Sequence, residues 1–294
     1  MEGEFWLNIS DARVSYANNQ ILSSMNLAIS KGITVIIGKN GIGKSTVIGL
    51  AEGLVRISGG KVMVLGKSPR KMPHEAFRRI SFLPEEPVSY GPRKVMENII
   101  LYSKMRKVVN EKISQLISYF DVEYIMDRDI STLSMGESKL LSLVLCLATD
   151  ADYYVMDEPS SNLYISNRLK LSRLMRKMNS EDGKTFLITT HIVDEIPYIA
   201  DTLILATQNG FREEKINVPA EGTNNATTVV IKSLNPEDIF TVLNATINVE
   251  RRDNEIIVHG ISLSQLLDLV PQNVINTIQS IHLYPETLVE AIYE

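Results

Sequence analysis

The segment Gly38-Lys39-Asn40-Gly41-Ile42-Gly43-Lys44-Ser45 has the spacing G-x-x-x-x-G-K-[ST], and it restricts what the chain can fold into more than any other stretch. Gly41 and Gly43 let the backbone curl until successive N–H groups point inward, a concavity suited to an anion that bulkier residues would obstruct. Lys44 can then reach the outer phosphates of a nucleoside triphosphate, and the Ser45 hydroxyl can ligand Mg2+. The flanks supply the required context. Ile33-Thr34-Val35-Ile36-Ile37 is β-branched throughout and reads as a buried strand, and Ser45–Leu54 reads as a helix. The loop therefore sits at a strand-to-helix turn with the helix N-terminus aimed at the anion.

A chain of 294 residues, 44% of them hydrophobic, can bury one large α/β domain and a smaller one. A net charge of −5 argues against nucleic acid as a main partner. Cys146 is the only cysteine, so no intrachain disulfide can form and a reducing compartment is expected. It lies in the apolar stretch Leu140–Ala148 and reads as a small core residue. That stretch is too short to span a bilayer, and Met1-Glu2-Gly3-Glu4 lacks the basic start of a signal peptide. The chain is expected not to cross a membrane by itself.

The pattern along the chain divides near residue 215. Before it, β-rich runs (Phe5–Ile9, Ile21–Ile29, Ile33–Ile37, Lys61–Leu65) give way to helical stretches and later strands, an α/β layout. A helical segment is expected between Pro92 and Phe120, with Ile113, Leu116, Ile117 and Phe120 on one packed face. Asn217–Thr227 is polar, carries Pro and Gly, and reads as a linker. After it come strand Thr228–Lys232, helix Pro236–Leu243, and strands Thr246–Arg251 and Glu255–His259 about an Asp253-Asn254 turn. Helix Leu263–Val270, strand Val274–Leu283 and a helix from Pro285 follow, so that β-α-β-β-α-β suggests a ferredoxin-like unit.

A second signal is Tyr153-Tyr154-Val155-Met156-Asp157-Glu158. An apolar strand closing on two carboxylates puts charge at the carboxyl edge of the sheet, where ligands of α/β folds bind. Asp157 is expected to hold Mg2+ through water, and Glu158 to polarise the water that attacks the γ-phosphate.

Leu133-Ser134-Met135-Gly136-Glu137, placed shortly before this strand, resembles the L-S-G-G-Q signature of the ATP-binding cassette (ABC) ATPases. The resemblance covers about residues 3 to 215. It implies a P-loop ABC ATPase domain over 1–215, with an N-terminal antiparallel β subdomain and a helical subdomain at about 88–150. A linker at 216–227 and a small α+β, ferredoxin-like C-terminal domain at 228–294 complete the expected α/β architecture. The family's nucleotide contacts fall on Gly38, Asn40, Gly41, Gly43, Lys44, Ser45 and Thr46, with Tyr16 at the position of the aromatic that stacks on adenine. Glu85, in Leu83-Pro84-Glu85-Glu86-Pro87, stands where the family usually has the Gln that contacts Mg2+; Glu is found there in exporter-type relatives. Ser45, Glu85 and Asp157 are thus the implied metal residues, and Glu158, His191 and Lys44 the implied catalytic ones, His191 sensing the γ-phosphate. Val95-Met96-Glu97-Asn98-Ile99 is similar to the family's T-V-x-E-N-L helix start.

In the family, the signature serine and glycine contact the γ-phosphate of ATP held by the opposite subunit, roles that fall on Ser134 and Gly136. Glu137 replaces Gln and brings negative charge toward that phosphate. Tyr164, in Ser160-Ser161-Asn162-Leu163-Tyr164, replaces the Asp that links the two ATP sites. The tail ending Tyr284-Pro285-Glu286-Thr287-Leu288 is similar to the close of ATPases that serve separately encoded export permeases. The implied protein is an ATP- and Mg2+-dependent ATPase subunit, a homodimer or heterodimer, driving a membrane permease from the cytoplasmic face. A soluble ABC ATPase without a transport role and a weakly hydrolysing regulatory switch are the alternatives.

Overall fold

The computed structural model describes residues 5–16, 19–39, 41–87, 93–192, 196–207, 210–214, 227–233, 235–244, 247, 249–259, 269 and 278–285. The chain divides into two compact units, Met1–Glu213 and Glu214–Glu294.

The first unit opens with β1 (Leu7–Tyr16), β2 (Asn19–Ile29), β3 (Ile33–Gly38), α1 (Lys44–Glu52) and β4 (Gly59–Val64). Strands β2-β1-β4 pair antiparallel in one sheet. In β1, Leu7 and Ile9 face the core while Asn8 and Ser10 face water, the period-two pattern of a half-buried strand. An irregularity between Ile9 and Ala12, with Asp11 at φ 47°, adds a residue and resets the alternation, so Ala12 and Val14 also point inward. The outward Asp11 accepts from Arg13 Nη2 at 2.7 Å and Ser24 Oγ at 2.6 Å, which holds its carboxyl below the usual range.

Next come the short helix α2 (His74–Phe77), β5 (Ile80–Leu83), α3 (Val95–Arg106), α4 (Asn110–Tyr119), α5 (Met135–Ala148) and β6 (Tyr153–Asp157). The single helical segment expected at 92–120 is two helices. Lys107 turns left-handed at φ 57° and closes α3 without a glycine. Ile113, Leu116, Ile117 and Phe120 are buried as expected, and α4 packs against α5. The unit ends with α6 (Ile165–Asp182), β7 (Thr185–Thr190), the one-turn α7 (Ile196–Ile199), β8 (Thr202–Thr207) and β9 (Gly210–Glu214).

The larger sheet has the order β5-β6-β7-β3-β8-β9, with β5 through β8 parallel to their neighbours. All described residues of β6 and β7 are buried, as befits parallel strands covered on both faces. The core lies between this sheet and the antiparallel one, around α1. Val47, Ile48 and Leu50 of that helix join Leu7, Ile9 and Val64 on one side and Ile36, Val155 and Leu187 on the other.

In the second unit, β11 (Val249–Arg252), β12 (Glu255–Val258), β10 (Thr227–Ser233) and β13 (Ile278–Pro285) form an antiparallel sheet in that order, and α8 (Pro236–Asn244) follows β10. Its core joins Val229, Ile231, Ile239, Leu243, Ile256 and Val258. The linker expected at 216–227 lies outside the described residues except Thr227. So do the helix from Pro285, beyond Pro285 itself, and the helix expected at Leu263–Val270, except Leu269. Among the described residues, no helix is long and apolar enough to cross a membrane.

Candidate nucleotide site

Gly38 ends β3 opposite Ala206 of β8. A Cβ there would sit 2.5 Å from the Ala206 carbonyl oxygen, so only glycine fits. Gly41 and Gly43 have φ of 80° and 109°, the left-handed backbone that the curled loop requires. Gly43 is also the N-cap of α1, and no side chain caps that helix. Its N-terminus, with the exposed Ser45 and half-buried Thr46 in the first turn, is thereby left to an external anion. The buried Lys44 bends back over the loop, its Nζ donating to the Gly38 carbonyl at 2.7 Å and the Lys39 carbonyl at 3.3 Å. Asn40 and the side chain of Tyr16 lie outside the described residues.

Parallel pairing of β6 with β7 sets Asp157 opposite Thr189. The buried Thr189 hydroxyl donates to Asp157 Oδ1 and accepts the Glu158 N–H at 3.2 Å, while the Thr189 carbonyl accepts the same N–H at 3.1 Å. Glu158 itself turns left-handed at φ 47°, which swings its side chain away from the strand direction. Its Oε2 lies 2.8 Å from His191 Nδ1 and accepts the His191 N–H at 3.3 Å. Burial pushes the Glu158 carboxyl above the ordinary range, and the nearby charges of His191 and Lys44 pull against that shift. Lys44, Asp157, Glu158 and His191 therefore gather at one edge of the sheet.

Ser134 caps α5 in a reciprocal arrangement. The Glu137 N–H donates to Ser134 Oγ at 3.3 Å, and Glu137 Oε2 accepts the Ser134 N–H at 2.8 Å and hydroxyl at 2.9 Å. Arg128 Nη1 donates to Glu137 Oε1 at 2.7 Å, so this carboxylate is engaged within its own chain and held below its usual pKa, chiefly by the Ser134 backbone bond. Gly136 explains itself sterically: a Cβ there would lie 2.8 Å from the Asn162 carbonyl oxygen, in the loop that follows Glu158. Tyr164 is the N-cap of α6, donates no side-chain cap and is 83% exposed.

Glu85 is exposed in the loop after β5. Sequence reasoning missed the residue that grips it. Lys139 is 1% exposed, and its Nζ donates to the carbonyls of Glu85 at 2.9 Å, Pro84 at 3.2 Å and Asp157 at 3.3 Å. Burial lowers its pKa to about 8. A lone lysine at the start of an otherwise apolar helical run was the available signal. Thr189 was missed as well, because only strand register reveals that it faces Asp157.

The donor set fits MgATP. Among the described residues, no group of three or more His, Cys, Asp or Glu side chains is placed to hold a metal on its own. A hydroxyl at Ser45 and carboxylates at Glu85 and, through water, Asp157 would leave the remaining positions to phosphate oxygens and water, the coordination that Mg2+ prefers.

Residues 22–161 match the model of the ABC transporter family. Among relatives, the uncharacterized ABC transporter ATP-binding protein YcbN of Bacillus subtilis (strain 168) is 27% identical over 212 residues, covering 71% of this chain and 69% of its own. The lantibiotic transport ATP-binding protein SrtF of Streptococcus pyogenes is 29% identical over 196 residues, 66% of this chain and 84% of that protein. The petrobactin import ATP-binding protein YclP of Bacillus subtilis (strain 168) is 25% identical over 212 residues, 69% and 84% respectively. An ATP-binding subunit of an ABC transporter superposes with a TM-score of 0.63 at 21% identity, over 72% of this chain and 90% of that one. A dimeric ATP-binding cassette bound to ADP and Pi does so with 0.62 at 20% identity, over 73% and 99%. The phosphate loop, the carboxylate edge and these matches lead to one identification: residues 22–161 carry a domain of the ABC transporter family, an ATPase domain of the kind that binds ATP with Mg2+.

Proposed function

We propose that this ABC transporter ATP-binding subunit dimerises around two MgATP molecules and drives a separately encoded permease, in the export direction, from the cytoplasmic face of the membrane. The observation that carries the reading is the convergence of Lys44, Asp157, Glu158 and His191 at the carboxyl edge of the sheet, beside an uncapped helix N-terminus. In this reading, the phosphate loop (Gly38, Asn40, Gly41, Gly43, Ser45, Thr46) cradles the phosphates, Lys44 swings from the loop carbonyls to the β/γ-phosphates, and Tyr16 stacks on adenine. Glu158, raised by burial, accepts a proton from the attacking water more readily than an ordinary carboxylate at neutral pH. His191 orients that carboxylate and reports on the γ-phosphate. Mg2+, held by Ser45 and Glu85 and through water by Asp157, would neutralise charge developing on the phosphates. Ser134 and Gly136, with Glu137 fixing the serine, serve the partner subunit's nucleotide.

The export direction rests on Glu85 within L-P-E-E-P; the relatives include proteins named for lantibiotic transport and for petrobactin import alike. For the tail we propose a ferredoxin-like unit over 228–294, supported by the strand order β11-β12-β10-β13, joined through a linker at 216–227 to the ATPase domain of 1–215. Tyr164 favours a second reading, a switch that binds ATP and hydrolyses it weakly. It stands exposed where the family's linking Asp would be. Steady-state ATP turnover separates the two.

The test of the sandwich is Glu158→Gln, whose amide is a poor base for the attacking water. With ATP the variant should elute from size exclusion as a dimer, and with ADP as a monomer. A protein that stays monomeric at saturating ATP counts against the mechanism. Co-purification with a multi-span membrane protein tests the transport role.

A further inference from the structure

Helix α5 is apolar from Leu140 to Ala148 apart from Ser142, and Lys139 is its only cation. Burying an ammonium is costly, and a methionine would fill a similar volume without that cost. The charge is retained where it meets a specific set of acceptors. Strands β5 and β6 pair in parallel up to Leu83 opposite Met156. Just beyond that last pair, the Pro84 and Glu85 carbonyls of the loop after β5 and the Asp157 carbonyl at the end of β6 turn to Lys139 Nζ. An ammonium has three N–H donors, and all three are matched. Two of the three peptides so gripped carry side chains read above as metal residues, Glu85 and Asp157. The negative charges that act on Lys139 most strongly are those of Asp157, Glu85 and Glu158.

We propose that Lys139 is a positioning residue for Mg2+: by tying the Glu85 and Asp157 backbones to α5 it sets the spacing of the two side chains that serve the metal, Glu85 directly and Asp157 through water. Ser134, five residues earlier, caps the same helix, so α5 carries both the grip on the metal loop and the capped signature serine. This inference rests on the reading of Glu85 and Asp157 as metal residues.

The test measures ATP affinity by calorimetry on the full chain, with Mg2+ and with chelator, for the parent, Lys139→Met, Lys139→Gln and Glu85→Ala. Lys139→Met should leave metal-free ATP affinity unchanged and cut the Mg2+-dependent gain roughly tenfold, the scale of losing a residue that orients a metal ligand. Lys139→Gln, which keeps two N–H donors, should lose less; it also carries the test if Lys139→Met does not fold. A gain within about twofold of the parent in a folded Lys139 variant overturns the positioning role. Glu85→Ala separates the layers. If its gain falls while that of Lys139→Met does not, only the positioning inference fails. If Glu85→Ala keeps the parent gain, the metal reading fails and the inference falls with it.

Discussion

Thr189 shows how much of the site depends on a side chain with no reactive chemistry. One hydroxyl accepts the Glu158 N–H and donates to Asp157 Oδ1, so it fixes the Asp157 carboxylate and the Glu158 backbone relative to β7. Thr189→Val keeps the shape and the backbone bond to the Glu158 N–H but deletes both hydroxyl bonds. With Asp157 serving the metal as proposed, turnover should fall about tenfold, the scale of losing a group that orients a residue of a metal site, while stability changes by about 1 kcal/mol. Steady-state ATPase rates and urea unfolding of both proteins check this. Glu52, at the end of α1, belongs to the same scale. Burial pushes its carboxyl from 4.5 to about 7, and the charge of Asp157 adds to the shift. A carboxyl raised on folding binds its proton more tightly in the native state. Its stabilising effect is therefore whole below pH 4.5 and lost as pH rises to about 7. Glu52→Gln has no such loss. Allowing for partial exposure to solvent, the variant should gain about 1 kcal/mol over the parent between pH 4.5 and pH 8. Denaturant unfolding at the two pH values decides, and parallel behaviour of both proteins would sink the idea.

At the scale of elements, the start of α6 is suboptimal for the helix itself. Tyr164 occupies the N-cap with no side-chain bond to the first turn. Tyr164→Asp supplies an acceptor and a charge that suits the helix dipole, and should stabilise the first unit by about 1 kcal/mol. A thermal midpoint equal to the parent's would mean that the first turn is satisfied some other way. The same substitution restores the residue type that the family uses between its two sites, so ATP turnover should be measured alongside. Element starts were legible where the chain carries strong punctuation. Helix α1 begins within a residue of the expected Ser45, directly after Gly43, but it stops at Gly53, short of the expected Leu54. The capping box that starts α5 emerged only in the folded chain. The boundary was not legible at Lys107, where a left-handed lysine divides α3 from α4, because nothing in the residue's chemistry signals that turn. Nor was α6 anticipated, since its polar surface and weak cap leave only a faint periodic signal.

In the whole molecule, two cores are built from separate stretches of chain, one around α1 and one between α8 and the tail sheet. Removing Glu214–Glu294 should therefore leave ATP affinity unchanged and shift the thermal midpoint of the first unit by less than about 4 °C. A truncated chain that fails to bind ATP would show that the tail supports the site. Short-range chemistry is what the sequence determined unaided. The glycines of the phosphate loop, the β-branched run before it and the carboxylates closing an apolar strand each act within a few residues of themselves. The strand order β5-β6-β7-β3-β8-β9 was decided only in the folded chain. It seats β7 between β6 and β3, brings His191 to Glu158 and Thr189 to Asp157, and turns a lysine on a distant helix toward the ends of two strands. Those contacts depend on parallel pairing across long loops. Its register is set by burial of both sheet faces at once, a condition that no local stretch of residues encodes.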